Sequence, residues 1–448
     1  MKTPELLAPA GSLRMARTAL DFGATAIYAG QPRYSLRVRN NDFGTLENLA
    51  EGIRLTHARG GKFYLVSNIL PHNAKLKTYL DDMAPVIDLQ PDALIMADPG
   101  LMMMIRERWP EMPIHLSVQA NTVNHAAVRF WRSIGVSRVI LSRELSLDEV
   151  AEIRQECPDT ELEVFVHGAL CIAYSGRCLL SGYFNHRDPN QGSCTNSCRW
   201  DYKVHEGSED AAGDVALATP RPLAVASAPT QPGAGGKQNT LRRPGATWLL
   251  EEKERPGEYM PIEEDEHGSY ILNSKDLRAI EYVARLTEIG IDSLKIEGRT
   301  KSPYYVARTC QSYAKAIEDA VARRPFDAQL VGQLEGLANR GYTAGFFDRH
   351  PDRDYQNYLS GSSESSRSLY VGDVLGYGAE GLAEIEVKNR FSVGDRIEII
   401  RPQGNLDLVI EAMQNRDGEP ATVAPGSGHR MRIALPPGCA GAFVARYV

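Results

Sequence analysis

A chain of 448 residues, 43% hydrophobic and 24% charged, has room for two or three domains and the composition of a globular protein with a sizeable core. No run approaches the roughly 18 apolar residues of a membrane span, and the opening MKTPELLAPAG lacks the basic region and apolar stretch of a signal peptide, so the reading is a cytoplasmic protein with no membrane partner. The net charge of −7 excludes less than it suggests: the window 249–268 holds eight acids against Lys253 and Arg255, which leaves the rest near neutral and free to present a basic face locally.

Short β-rich apolar runs alternate with amphipathic segments of helical length from the first residues onward. Strands are predicted over 5–8, 26–29, 63–66, 93–96, 114–118, 138–141, 162–166 and 293–296. Helical periodicity falls between them at 13–22, 45–59, 75–89, 123–134 and 147–156, then at 274–289 and 303–323. Eight strands, each followed by a crossover, predict an α/β fold of the (β/α)8 TIM-like class. An open doubly wound sheet would want a GxGxxG turn after the first strand, and none is there.

The rhythm breaks once, between strand seven, ending near 167, and strand eight. Residues 210–247, rich in Ala, Pro, Gly and Thr, cannot bury enough apolar surface to fold alone, so the insertion 207–257 is expected to be flexible. The acid-rich run 263–266 is expected to be solvated surface. The barrel domain then runs to 350, and 351–368 is a Ser-, Gly- and Asp-rich linker. From 369 to 448 short alternating strands with Gly and Pro turns predict a small all-β domain, a barrel of about six strands.

Seven cysteines without a secretory signal do not make a disulfide framework. Cys157, Cys310 and Cys439 stand alone and read as buried inert thiols. The other four fall within 28 residues as C-x6-C-x15-C-x3-C: Cys171, Cys178, Cys194 and Cys198. The first follows strand seven by a few residues, at the barrel face where active sites form, and thiolates converging there suit a soft metal or a cluster. Spacing alone leaves zinc and iron–sulfur both open.

Arg33, Tyr34, Arg37 and Arg39 lie on the loop after strand two, where arginines could clamp phosphates or a dicarboxylate and the aromatic could stack a base. Other strand ends present Asn68 and His72, Asp98, Gln119 and Asn121, Arg143 and Glu144, His167, and Glu297 with Arg299 and Lys301. Asn68, Gln119, Asn121, Arg143, Arg299 and Lys301 are taken as further substrate contacts. His167 is a candidate proton donor or else a hydrogen-bonded core histidine. Glu297 is the other catalytic candidate, as the orienter of Arg299. No GxSxG elbow, HExxH or P-loop occurs.

The stretch EVFVHGALC at 163–171, followed by SGRCLLS at 175–181, resembles the signature of family thirty-two of the unclassified (U) peptidases. PELLAPAG, YAGQPRYSLRVRNN, SVQANTVN, LSRELSLDE, NSKDLRAIEYV and SLKIEGRTKSPYYVARTC extend the resemblance over nearly the whole chain, toward one branch. Members of that branch look like oxygen-independent factors that make 5-hydroxyuridine at the tRNA wobble position, with a [4Fe–4S] cluster on four cysteines and prephenate as a required metabolite. The resemblance thus implies Cys171, Cys178, Cys194 and Cys198 as cluster ligands. It also implies tRNA and a small dicarboxylate as partners, and an electron donor the sequence does not identify. The competing readings are a peptidase, as the family's name says, and a non-catalytic metal-binding component of an RNA-modification complex.

Overall fold

The computed structural model describes residues 2–30, 33–35, 41–169, 173–174, 177–178, 202–209, 215–217, 247–252, 259–265, 268–271, 276–299, 301–337, 341–348, 368–378 and 381–448. The chain opens with β1 (Glu5–Pro9), α1 (Leu13–Asp21), β2 (Ala26–Gly30), α2 (Leu46–His57), β3 (Lys62–Ser67) and α3 (Asn73–Ile87). It continues through β4 (Ala93–Met96), α4 (Pro99–Arg108), β5 (Ile114–Leu116), α5 (His125–Ser133), β6 (Arg138–Ile140), α6 (Leu147–Glu156) and β7 (Glu161–Ala169). These seven strands pair in parallel and in sequence order.

After β7 come a two-strand hairpin, β8 (Ala173–Tyr174) and β9 (Arg177–Cys178), and then β10 (Tyr202–Glu209), β11 (Val215–Leu217), β12 (Thr247–Glu252), β13 (Tyr259–Asp265) and β14 (Gly268–Ile271). The barrel resumes with β15 (Asp276–Arg278), α7 (Val283–Ile289), β16 (Ser293–Ile296), α8 (Pro303–Val321), α9 (Gln329–Glu335) and β17 (Tyr342–Thr343). β16 pairs in parallel with both β7 and β1, which closes an eight-stranded TIM-like barrel. The strands are largely apolar on both faces, as suits parallel strands walled by helices; β2, AIYAG, is wholly buried.

Local chemistry sets the helix starts. Ser12, Thr45, Asp98, Asn124, Ser146 and Ser302 each accept a hydrogen bond from a first-turn N–H. Ser146 and Glu149 form a reciprocal capping box, and Pro99 and Pro303 open α4 and α8. Asp98, a polar strand-end residue in the sequence, therefore spends its carboxylate on Leu101 N, 2.8 Å away.

Three expectations change. The helix predicted over 274–289 begins as a strand: β15 lies antiparallel to the far end of β7, with Leu277 opposite Gly168 and Arg278 opposite His167, and β17 joins β15 in parallel. Strand pairing outside the barrel wall overrides a weak helical period there. In and around the insertion 207–257, where no strands were predicted, β10 to β14 form a five-stranded antiparallel sheet ordered β11-β10-β12-β13-β14. Its His205 and Glu251 are buried, with Nε2 and Oε2 2.9 Å apart, beside buried Leu249. Most of the acidic run 263–266 is strand backbone in β13. The low-complexity core at 218–246 and the linker at 351–367 lie outside the described residues.

The third difference is in the C-terminal domain, which is an eight-stranded antiparallel sheet where about six strands were expected. Its order runs Leu406–Val409, Arg396–Ile400, Phe443–Tyr447, Ser368–Tyr377, Ala383–Val387, Arg430–Ile433, Met413–Asn415, Pro420–Ala421. Ile400, Phe443 and Ala445 join the barrel's own hydrophobic core. Tyr304 of α8 stacks on Tyr370 at 4.5 Å, and Arg308 reaches the Glu398 carboxylate with both guanidinium ends, Nη1 to Oε1 at 3.0 Å. Gln311 adds bonds to Arg401 O and Asn405 Oδ1, both at 3.0 Å, and Arg14 of α1 pairs with Asp373 at 3.0 Å. The sheet is thus fastened to α1 and α8.

Candidate functional site

The C-terminal ends of the barrel strands gather Asn68, Gln119, Asn121, Arg143, Glu297, Arg299 and Lys301. Arg143, one turn past β6, donates from Nη1 to Ala169 O at 2.8 Å, and its guanidinium carbon sits 3.9 Å from the centre of the Phe165 ring. Its Nη2 lies 3.7 Å from Glu297 Oε2. Arg299 is buried and donates to Ser35 Oγ at 2.8 Å. Glu297, expected to orient Arg299, has Arg143 as an ion-pair partner. Asn68 Nδ2 approaches Ser117 Oγ at 3.5 Å, and Ser117 Oγ also donates to Gln119 Oε1 at 3.2 Å. Asn121 takes the left-handed conformation, φ 46°, that ends the short turn carrying Gln119. Lys301 Nζ stands 5.7 Å above the Tyr305 ring.

Beneath these groups runs a ladder of cations and rings. Arg143 and Lys295 both pack on Phe165, the ammonium 5.4 Å from the ring centre. Lys295 also lies 4.5 Å from the Tyr28 ring, and Arg299 lies 5.9 Å from the same ring. The ring faces add attraction to these cations beyond the carboxylate partners of Arg143 and Lys295. Glu163, fully buried on β7, accepts from Lys295 at 2.8 Å. Burial pulls the Lys295 ammonium below its ordinary pKa, and Glu163 opposes that pull.

Deeper still, Arg138 at the start of β6 binds Glu5 at 2.6 Å, Glu161 at 2.9 Å and Glu163 at 3.2 Å. Tyr64 donates to Glu5 at 2.6 Å, and Ser293 joins the same carboxylate at 3.1 Å. This network occupies the end of the barrel that serves stability. The sequence analysis passed over Glu5, Arg138, Glu163 and Lys295. Their signal was available: a charge inside a strand whose two faces are both buried must find a partner within the barrel.

Several predicted residues have other employment. Tyr34 is buried, edge-on to Tyr79 at 4.8 Å, with its hydroxyl on Asp82. Arg33 binds Asp82 at 2.6 Å on the barrel's flank. His167 is buried among Tyr305, Tyr313 and Tyr342, with ring centres 5.8, 5.5 and 5.5 Å away. Burial first, and the charges of Arg278 and Lys301 second, pull its imidazole down to about 3, so it is neutral near pH 7 and does not supply an imidazolium acid. The core-histidine alternative fits that setting. His72 starts α3 without a side-chain cap, and Glu144 accepts from Ser142.

Arg37, Arg39, Cys171, Cys194 and Cys198 lie outside the described residues, and Cys178 is described only as backbone of β9, opposite Ala173. β7 ends at Ala169, two residues before Cys171. Among the described residues no group of three or more His, Cys, Asp or Glu side chains could hold a metal. Cys157, Cys310 and Cys439 are all buried, and burial raises the Cys310 thiol far above its ordinary range, so the lone cysteines do not compete as ligands.

Close approach fixes two glycines. A Cβ on Gly168, at φ 103°, would stand 2.6 Å from Glu297 O, where β7 leaves the barrel wall. A Cβ on Gly30 would stand 2.1 Å from Arg299 Nη1. The first lets β7 diverge toward the cysteine segment, and the second lets the guanidinium cross the end of β2.

The family model described as peptidase family U32 matches residues 11–357, and the model for the peptidase family U32 C-terminal domain matches 366–446. The chain is 58% identical to tRNA hydroxylation protein P of Escherichia coli (strain K12), over 97% of this chain and 94% of that protein. It is 55% identical to the tRNA hydroxylation protein P of Haemophilus influenzae (strain ATCC 51907 / DSM 11121 / KW20 / Rd), over 97% and 93%. Among solved structures, the selenomethionine form of the C-terminal domain of a Geobacillus thermoleovorans U32 peptidase is 28% identical, covering 17% of this chain and 98% of its own, at a TM-score of 0.17.

Proposed function

The chain belongs to peptidase family U32, and from that premise we propose that it acts in tRNA hydroxylation, converting the wobble uridine to 5-hydroxyuridine. The observation that carries this reading is identity of 58% over 97% of the chain to a protein named for tRNA hydroxylation. The cationic barrel mouth supports it, since Arg143, Arg299 and Lys301 suit an anionic ligand, whether phosphate or the carboxylates of a small metabolite such as prephenate. Asn68, Gln119 and Asn121 offer donors and acceptors matched to the edge of a base. No described helix is long and apolar enough to cross a membrane, and we place the reaction in the cytoplasm.

Uracil C5 is not acidic, so its hydroxylation needs an oxidant or an activated oxygen donor. In our reading Cys171, Cys178, Cys194 and Cys198 hold a [4Fe–4S] cluster, which when bound would supply one-electron chemistry. Four cysteines within 28 residues, beginning two residues past β7, are the support for this, and zinc is the alternative occupant. The chain's own residues then bind and orient: the Arg143–Glu297 pair fixes one anion contact, and Ser35 fixes the other by holding Arg299. Neutral His167 shapes the wall and is not assigned a proton transfer.

Complementation of a deletion strain tests the scheme with iron and product read separately. Cys171→Ala should abolish both bound iron and 5-hydroxyuridine, whereas Arg143→Ala should keep the iron and lower the nucleoside. Full rescue by both variants would remove these groups from the mechanism. A colourless protein that cleaves peptides after anaerobic purification would favour the peptidase reading. Iron-loaded protein that never supports the modification would favour the non-catalytic one.

A further inference from the structure

The segment that follows β5 holds two buried polar atoms without a partner among the described residues, Gln119 Nε2 and Thr122 Oγ1. Neither belongs to the ion network of the barrel floor or to the Arg143–Glu297 pair. Buried polar atoms are nearly always hydrogen-bonded, so two orphans in one short segment at a barrel mouth point to a bound group.

Strand alternation shows which way the segment faces. Tyr64 of β3 meets Glu5 inside the barrel, whereas Ser67 turns out to Tyr79 of α3, at 2.9 Å. Asn68, next after Ser67, therefore points inward. His115 of β5 packs edge-on against Tyr64 at 4.7 Å, so Ser117, two residues on, points inward as well. The contact of 3.5 Å between Asn68 Nδ2 and Ser117 Oγ joins these two inward groups.

Ser117 also fixes the amide of Gln119. Its Oγ receives Asn68 Nδ2 and, at 3.4 Å, Gln119 N, so its one proton goes to Gln119 Oε1 at 3.2 Å. Nε2 is the end of the amide left over, and it donates without accepting. Three residues on, Thr122 is 2% exposed, and its carbonyl takes Ser142 N at 3.0 Å, one residue before Arg143. The amide is thus anchored on the inner side of the mouth, on the same run of strand ends as the anion contact.

We propose that Gln119 selects uridine over cytidine, its Nε2 donating to O4 of the target base. The proposal rests on the tRNA reading above. Uracil carries a carbonyl at C4 where cytosine carries an amino group, so a fixed N–H donor pairs with the first and meets a second donor in the other.

Binding of full-length, anaerobically purified protein to two anticodon stem-loops, identical but for U or C at the wobble position, tests this. The wild type should hold the uridine form roughly tenfold more tightly, the order of one hydrogen bond. Gln119→Met should bring the two affinities together. Gln119→Glu, which exchanges the donor for an acceptor, should turn the preference toward cytidine; a purely structural loss would weaken both forms alike. Gln414→Leu, which removes an orphaned amide oxygen from the C-terminal sheet, should keep the wild-type ratio. If Gln119→Met does not fold, Gln119→Glu carries the test. Wild-type protein that binds both forms equally, or neither, overturns the proposal, as does a wild-type ratio in the Gln119 variants. The tRNA reading survives those results if the deletion strain still loses 5-hydroxyuridine; an unchanged nucleoside profile there removes both.

Discussion

At the scale of single residues, the buried charges make the sharpest demands. Lys295 and Glu163 bind each other inside the barrel at 2.8 Å, so removing Glu163 takes the carboxylate from a buried ammonium, and removing Lys295 leaves Glu163 with Arg138. Glu163→Gln and Lys295→Met should each cost about 3–5 kcal/mol in urea unfolding, and the double replacement by apolar residues should recover much of that loss. Additive losses in the double variant would mean that the two groups act independently. His167 gives a pH signature. Its folded pKa is depressed to about 3 from an ordinary 6.5, so the unfolded chain takes up the proton first. The stability tied to neutral His167 is complete above pH 6.5 and drains away as pH falls toward 3, at up to about 1.4 kcal/mol per pH unit. His167→Leu should flatten the acid limb of the stability curve by about one proton; an unchanged limb would show that this imidazole is not buried neutral. The sequence named His167 because of its place beside the cysteines, but which of its two roles holds depends on the rings of Tyr305, Tyr313 and Tyr342, which come from other parts of the chain.

At the scale of elements, the barrel strands were legible because each is a short apolar run between capped helices. What was not legible was pairing at a distance. Nothing local in Asp276–Arg278 says that it will lie against Gly168 and His167, and its helical period is overridden by that contact. The inserted sheet was hidden for a similar reason, since β10 and β12 are register partners separated by a long low-complexity stretch. Candidate substrate contacts were read by position on strand ends, and the structure puts Arg143 and Arg299 at that end of the barrel; position alone could not reveal that Tyr34 turns inward to Asp82. The clasp between α8 and the C-terminal sheet makes its own prediction. Arg308 and Glu398 are both buried, so Arg308→Met should leave the Glu398 carboxylate with the bond from Asn405 and without its guanidinium. Scanning calorimetry should show a lower melting temperature and a separate transition for the C-terminal sheet. A single unshifted transition would mean that the aromatic contacts alone hold the domains together.

At the scale of the whole molecule, a closed barrel collects cations at one end and a stabilising ion network at the other, and a fixed β-sheet domain caps the α1–α8 side. That division lets the mouth carry Arg143, Arg299 and Lys301 without the fold depending on them. Arg143→Ala should accordingly reduce the modification while shifting the melting temperature by no more than a few degrees; a collapse in stability would move Arg143 from ligand binding to scaffold. The central claim is that this chain serves tRNA hydroxylation. Mass spectrometry of nucleosides from total tRNA of a strain lacking the protein, and any redundant route, tests it most directly. The account predicts loss of wobble 5-hydroxyuridine and its derivatives, restored by the wild-type chain. An unchanged nucleoside profile would contradict it.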